Sequence, residues 1–151
     1  MTNAPLETTP STSPVQAARD EIAAQIRAYR DLVGAASKAS GMSLTRIDAA
    51  LAAFEPAFFN NLLIALDARF AGGAGPGAAR AEVRLLANSL LAHGGVLTAN
   101  AAIPCAIDSS VLRIDIGERI ALNGDDFEAL CARFLSELEE GSAPFGARPR
   151  K

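Results

Sequence analysis

Apolar residues recur every three or four positions between residues 15 and 36, and that rhythm sets the first element. Val15, Ala18, Ile22, Ile26, Tyr29, Val33 and Ala36 form one stripe, while Arg19, Asp20, Glu21, Arg27, Arg30 and Asp31 fall mostly off it. The spacing predicts an amphipathic helix with one face turned to a core. Ser13 precedes Pro14, a side-chain cap followed by proline at the first helical position, where a missing N–H is no loss. This helix is expected to end near Ser40 and Gly41.

A second helix is expected from Ser43, with Met42 and Ile47 placed to staple its start and a stripe of Leu44, Ile47, Leu51 and Phe54. Pro56 removes a helical hydrogen bond, so the chain should kink or break there. A third helix follows from about Ala57 to Phe70, apolar around most of its girth and therefore central in the core. Gly72-Gly73-Ala74-Gly75-Pro76-Gly77 reads as a loop. The fourth helix, Ala78 to His93, carries Val83, Leu86 and Leu90, widened by Leu85 and Leu91, and Gly94-Gly95 stop it.

Residues 96–110 have no clear rhythm and leave room for one short strand, around Val96–Thr98 or Ala102–Ile103. Val111 to Ile116 and Arg119 to Leu122 alternate on either side of Gly117-Glu118, which predicts a hairpin with a type II′ turn. The last helix is the best marked. Asn123 caps it, Asp125 and Asp126 fill its first turn, Leu122 staples to Phe127, and Gly141 ends it. Its face is Phe127, Leu130, Cys131, Phe134, Leu135 and Leu138. The expectation is a mainly α domain over residues 14–140: about five helices in an irregular bundle, with one small β-hairpin before the C-terminal helix. A disordered tail at 1–13 and a flexible basic tail at 141–151 flank it.

Composition narrows the function classes. Hydrophobic residues make up 50% of the 151 positions, enough for a continuous core. Three of the 14 basic residues (Arg148, Arg150, Lys151) sit at the C-terminus, so the rest sets 11 against 17 acidic residues, a charge of −6. A body of that sign repels phosphate backbones, which disfavours nucleic acid. No apolar run approaches the ~18 residues of a membrane span, and no secretory leader is visible. Cys105 and Cys131 are too few and too unpatterned for a disulfide framework, which fits free thiols in a reducing cytoplasm.

Candidate chemistry is sparse. The glycine loop opens a helix near Arg80 and Arg84, where free N–H groups attract anions, but it follows a helix and lacks a Gly-Lys-Ser/Thr ending. His93 is the single histidine and has no ligand set around it, so no metal or cofactor is expected. Cys131 lies on an apolar face and Cys105 has no adjacent base. A helix-turn-helix over residues 43–70 fails because its reading helix has no cation before Arg69. Asn60 and Asn61 stand out, two amides within an apolar run. About 100° apart, they cannot share a face: either one is partly exposed and the other bonds backbone near Pro56, or a buried amide, with Asn88 as its partner, fixes helix register or oligomer state.

Phe58-Phe59-Asn60-Asn61-Leu62, Leu66-Asp67-Ala68-Arg69-Phe70, Glu82 to Leu90, Gly94-Gly95-Val96-Leu97, Ser110-Val111-Leu112, Ile116 to Ile120 and Asp126-Phe127 together resemble an uncharacterised family of small bacterial proteins. The resemblance covers about residues 54–139. It implies a single domain and brings no activity, cofactor or catalytic residue. In that family the stretch before the fourth helix is longer and charged, whereas here it is glycine-rich. The functional expectation is a non-enzymatic protein–protein interaction or regulatory module, a homodimer meeting through Phe58, Phe59, Leu62, Leu63 and Leu66. The alternative is a small-molecule or enzymatic pocket lined by Asn60, Asn61, Asn88 and His93.

Overall fold

The protein is described by a computed structural model over residues 12–38, 44–71 and 77–142. Four α-helices are present there: α1 (Pro14–Ser37), α2 (Leu44–Arg69), α3 (Ala78–Ala92) and α4 (Gly124–Ser142), with one 3-10 turn at Ile107–Ser109. α2 and α4 touch each other, and both α1 and α3 pack on the pair. The local start signals work as read. The Ser13 hydroxyl accepts the Gln16 N–H at 3.1 Å ahead of Pro14, and Asn123 Oδ1 accepts the Asp126 N–H at 2.8 Å. α1 closes at Ser37 and α4 runs through Gly141 to Ser142. The two expected tails (apart from Thr12, Ser13, Gly141 and Ser142), the Ser43 cap with its Met42 staple, and most of the glycine loop lie outside the described residues.

The five-helix expectation is corrected first at Pro56. α2 is one helix of 26 residues with that proline inside. Proline withholds the hydrogen bond due to the Ala52 carbonyl and costs a helix interior about 3 kcal/mol. Packing on both sides of it offsets the loss. Tyr29 of α1 stacks on Phe58 with ring centroids 5.2 Å apart and reaches Phe54 at 6.4 Å, so one ring clamps residues flanking Pro56. As one rod, Thr45–Arg69 is long and apolar enough to cross a membrane, with a mean hydropathy of 1.5. Soluble core helices meet that criterion too, but they are mostly buried; here Phe59, Leu63 and Leu66 are buried in the bundle, and 17% of the apolar 18-residue window is.

The second correction is the hairpin: no β-strand occurs among the described residues, only an isolated antiparallel bridge between Val96 and Arg119. Its hydrogen bonds run Leu97 N–H to Glu118 O and Ile120 N–H to Gly95 O, both 2.8 Å. The turn itself forms, with Glu118 N–H on Asp115 O at 3.0 Å. However, Gly117 occupies its third position with φ +94°, where a type II turn needs glycine, rather than the second position of a type II′ turn. Turns of that hand splay flanking strands. Arg113 at φ +53° further breaks the extended run that alternation suggested.

Residues 93–123 therefore cross from α3 to α4 almost without regular structure, yet no buried side-chain polar atom among the described residues lacks a partner. Helix side chains supply the missing bonds. Asn60 donates to Ile120 O at 3.1 Å and accepts Leu122 N–H at 3.3 Å. Ser89, fully buried, accepts Thr98 N–H at 3.0 Å. Glu82 accepts the N–H groups of Val111 and Leu112, and Glu55 accepts that of Gly124 at 3.4 Å. The connector is a third layer nailed to α2 and α3.

Candidate ligand pocket

The residues singled out from the sequence go to several places. Phe59, Leu63 and Leu66 follow i, i+4 and i+7 on α2 and are buried within the chain, while Phe58 and Leu62 are half-buried against the same core. That face is covered by α1, α3 and α4 of the same molecule. Asn60 is half-buried and answered by the connector, whereas Asn61 is exposed. Asn88 pairs with Asn100 at 3.5 Å, and His93 stands exposed at the end of α3. These four side chains do not converge. Nor does the start of α3 remain open to an outside anion. Glu137 of α4 accepts the N–H groups of Ala79 and Arg80, both at 3.1 Å. A Cβ on Gly77 would meet its Oε2 at 2.2 Å, so the glycine makes room for that carboxylate.

The concave site lies instead between α3 and the connector. A cleft of about 530 Å³ is walled by Leu85 and Leu86 from α3 and by Leu97, Ile103, Ile114 and Ile116 from the connector. Its volume falls within the range of small-molecule sites. The connector can form this wall because it is irregular: a strand would have turned alternate side chains away. Polar groups are few. Asn100 and Ser110 border the cleft, but Asn100 bonds Asn88 and the Ala102 N–H, and the Ser110 hydroxyl accepts the Arg113 N–H at 3.0 Å. Cys105 is half-buried there, and burial, helped by the charge of Glu82, pushes its thiol above the usual range. It is held as a soft apolar wall rather than as a thiolate. Cys131, buried on α4, is pushed up to about 11 by the same desolvation.

Glu82 is the unusual member. Only 5% exposed, it lies on the cleft wall with Oε2 2.6 Å from Val111 N and Oε1 2.9 Å from Leu112 N. Burial raises its pKa from the ordinary 4.5; the two backbone bonds oppose that, and the charge of Glu137 on α4 adds to it. Just above pH 4.5, then, the folded chain holds more proton at Glu82 than the unfolded chain does. Its contribution to stability is complete below 4.5 and is lost as pH rises through the folded value. Urea midpoints taken at closely spaced pH values should fall across that interval more steeply in the wild type than in Glu82→Gln. Equal slopes would show that Glu82 titrates alike in both states.

The sequence carries one signal of this site. Glu82 is at the inward register of α3, three after Ala79 and four before Leu86, a carboxylate where the stripe calls for an apolar residue. No group of three or more His, Cys, Asp or Glu is placed to hold a metal ion among the described residues. No protein-family model matches the chain, nor does any curated protein or solved structure.

Proposed function

We propose that this protein is a non-catalytic binding module whose cleft between α3 and the connector takes a small, largely apolar ligand. The observation that carries this reading is the cleft: a preformed apolar cavity of about 530 Å³ with a buried carboxylate in its wall. Small-molecule sites have that make-up, with polar groups few and fixed. A catalytic role would need a base or nucleophile beside the ligand. The thiol of Cys105 is raised rather than activated, and His93 is elsewhere, which leaves Glu82 as the one carboxylate of the cleft with no histidine or second acid beside it there.

The test is to fill the cleft without disturbing its supports. Ala99 borders it and is exposed, so Ala99→Phe projects a ring into the space at little cost to folding. Saturable binding of apolar probes, followed by amide chemical shifts at Cys105 and Ile114, should weaken about tenfold or more in that variant. Binding that is unchanged by the phenyl ring, or absent from the wild type, would end the reading.

Self-association, as a protein-interaction module and homodimer, is a second reading that one observation favours. Phe54 is 45% exposed and leans on Tyr29 and Phe58. An aromatic group left that open suits a partner's apolar surface. The contact would then centre on Phe54 and Phe58, not on the buried Phe59, Leu63 and Leu66. Sedimentation at tens of micromolar that finds only monomer would remove it.

A further inference from the structure

We infer that the ligand of the α3–connector cleft carries a cationic amine head on its apolar body, with the Glu82 carboxylate as counter-ion. The inference rests on the pocket reading above and adds the chemical class of what is bound. The cleft wall contains one ionisable carboxylate and no Lys, Arg or His. Among the described residues, the ion pairs formed by Arg19, Arg30, Arg69, Arg84 and Arg133 all go to other carboxylates. The next charge that acts on Glu82 is Glu137, of the same sign.

Two backbone N–H groups give the carboxylate direction but no positive charge. A carboxylate has about four acceptor positions, and Glu82 fills one on each oxygen from Val111 and Leu112. An ammonium group donates to the positions left and neutralises the buried charge where water does not screen it. Anionic heads meet like charge there, and neutral ones leave the carboxylate uncompensated. The apolar walls of Leu85, Leu97, Ile103 and Ile114 then hold the hydrocarbon part.

Three probes of one chain length decide this on the full wild-type chain: n-octylammonium, n-octanol and n-octanoate, titrated at pH 7 by calorimetry and amide chemical shifts. Octylammonium should saturate, move the Cys105 and Ile114 resonances, and bind about tenfold tighter than octanol, with octanoate weakest. Octanol binding as tightly as octylammonium would overturn the amine inference and leave the cleft standing as an apolar site. If none of the three binds, the pocket reading fails and the inference with it. Glu82→Gln supplies a second measurement. It should abolish the preference for octylammonium while octanol binds as before, and a preference that survives the substitution overturns the role of Glu82. Should that variant not fold, the wild-type series alone decides.

Discussion

Phe59→Ala is expected to lower the unfolding free energy by about 4 kcal/mol, within the range for truncating a fully enclosed phenylalanine. The ring is 0% exposed. It meets Tyr29 and Phe58 edge-on at 5.1 and 5.0 Å and Phe127 at 5.7 Å, so α1, α2 and α4 close around it. The backbone of Gly124 comes so near that an added Cβ would lie 3.2 Å from the ring. With the start of α4 pinned on one side and the rod of α2 on the other, the cavity cannot collapse easily, which puts the loss high in the usual range. Single domains have about 5–15 kcal/mol of stability in total. Urea denaturation should therefore show a large drop in midpoint, against less than about 1 kcal/mol for the half-exposed Phe54→Ala. Equal losses in the two variants would contradict the enclosure of Phe59.

Asn60→Leu should cost about 3 kcal/mol even though it adds apolar volume to an apolar neighbourhood. Leucine leaves the Ile120 carbonyl and the Leu122 N–H without the partners that the amide supplies. Ile120 and Leu122 are 3% and 1% exposed, so water cannot replace those bonds without opening the core. Unmade buried bonds lose the desolvation penalty of each group, about 1–3 kcal/mol apiece. The neighbouring Asn61→Leu is the control. Its side chain is exposed, and a surface substitution usually stays within about 0.5 kcal/mol. A near-neutral Asn60→Leu would mean that the connector does not depend on α2.

What could be read from the residues is what local chemistry decides. Ser13-Pro14 and Asn123 with Asp126 fix helix starts within one turn, and Gly94 at φ +61° and Gly95 at φ +81° stop α3 as glycines do. The misjudged features depend on partners distant in sequence. Pro56 argues for a break until Tyr29 is placed across it. Val111–Leu122 alternates like a hairpin, but Ile120 has already given its N–H to Gly95 and its carbonyl to Asn60. Asn60 was half legible: a buried amide had to find backbone, though its partners sit some sixty residues away rather than at Pro56 or Asn88. The cleft was legible only in Glu82, an acid at the inward register of α3, because much of its other wall comes from residues 97–110, which have no periodicity to read.

The connector has another consequence, in time rather than in space. A sheet can zip up from its own turn, but Thr98, Val111, Leu112 and Leu122 have only helix side chains as partners for their amides. Those partners converge once α2 and α3 stand side by side. Folding thus acquires a sequence of events, helices before connector, and substitutions along 97–116 should leave the rate of folding almost untouched while hastening escape from the native state. The cleft between α3 and the connector, built half from that late-arriving segment, would be the last feature of the molecule to exist and the first to vanish.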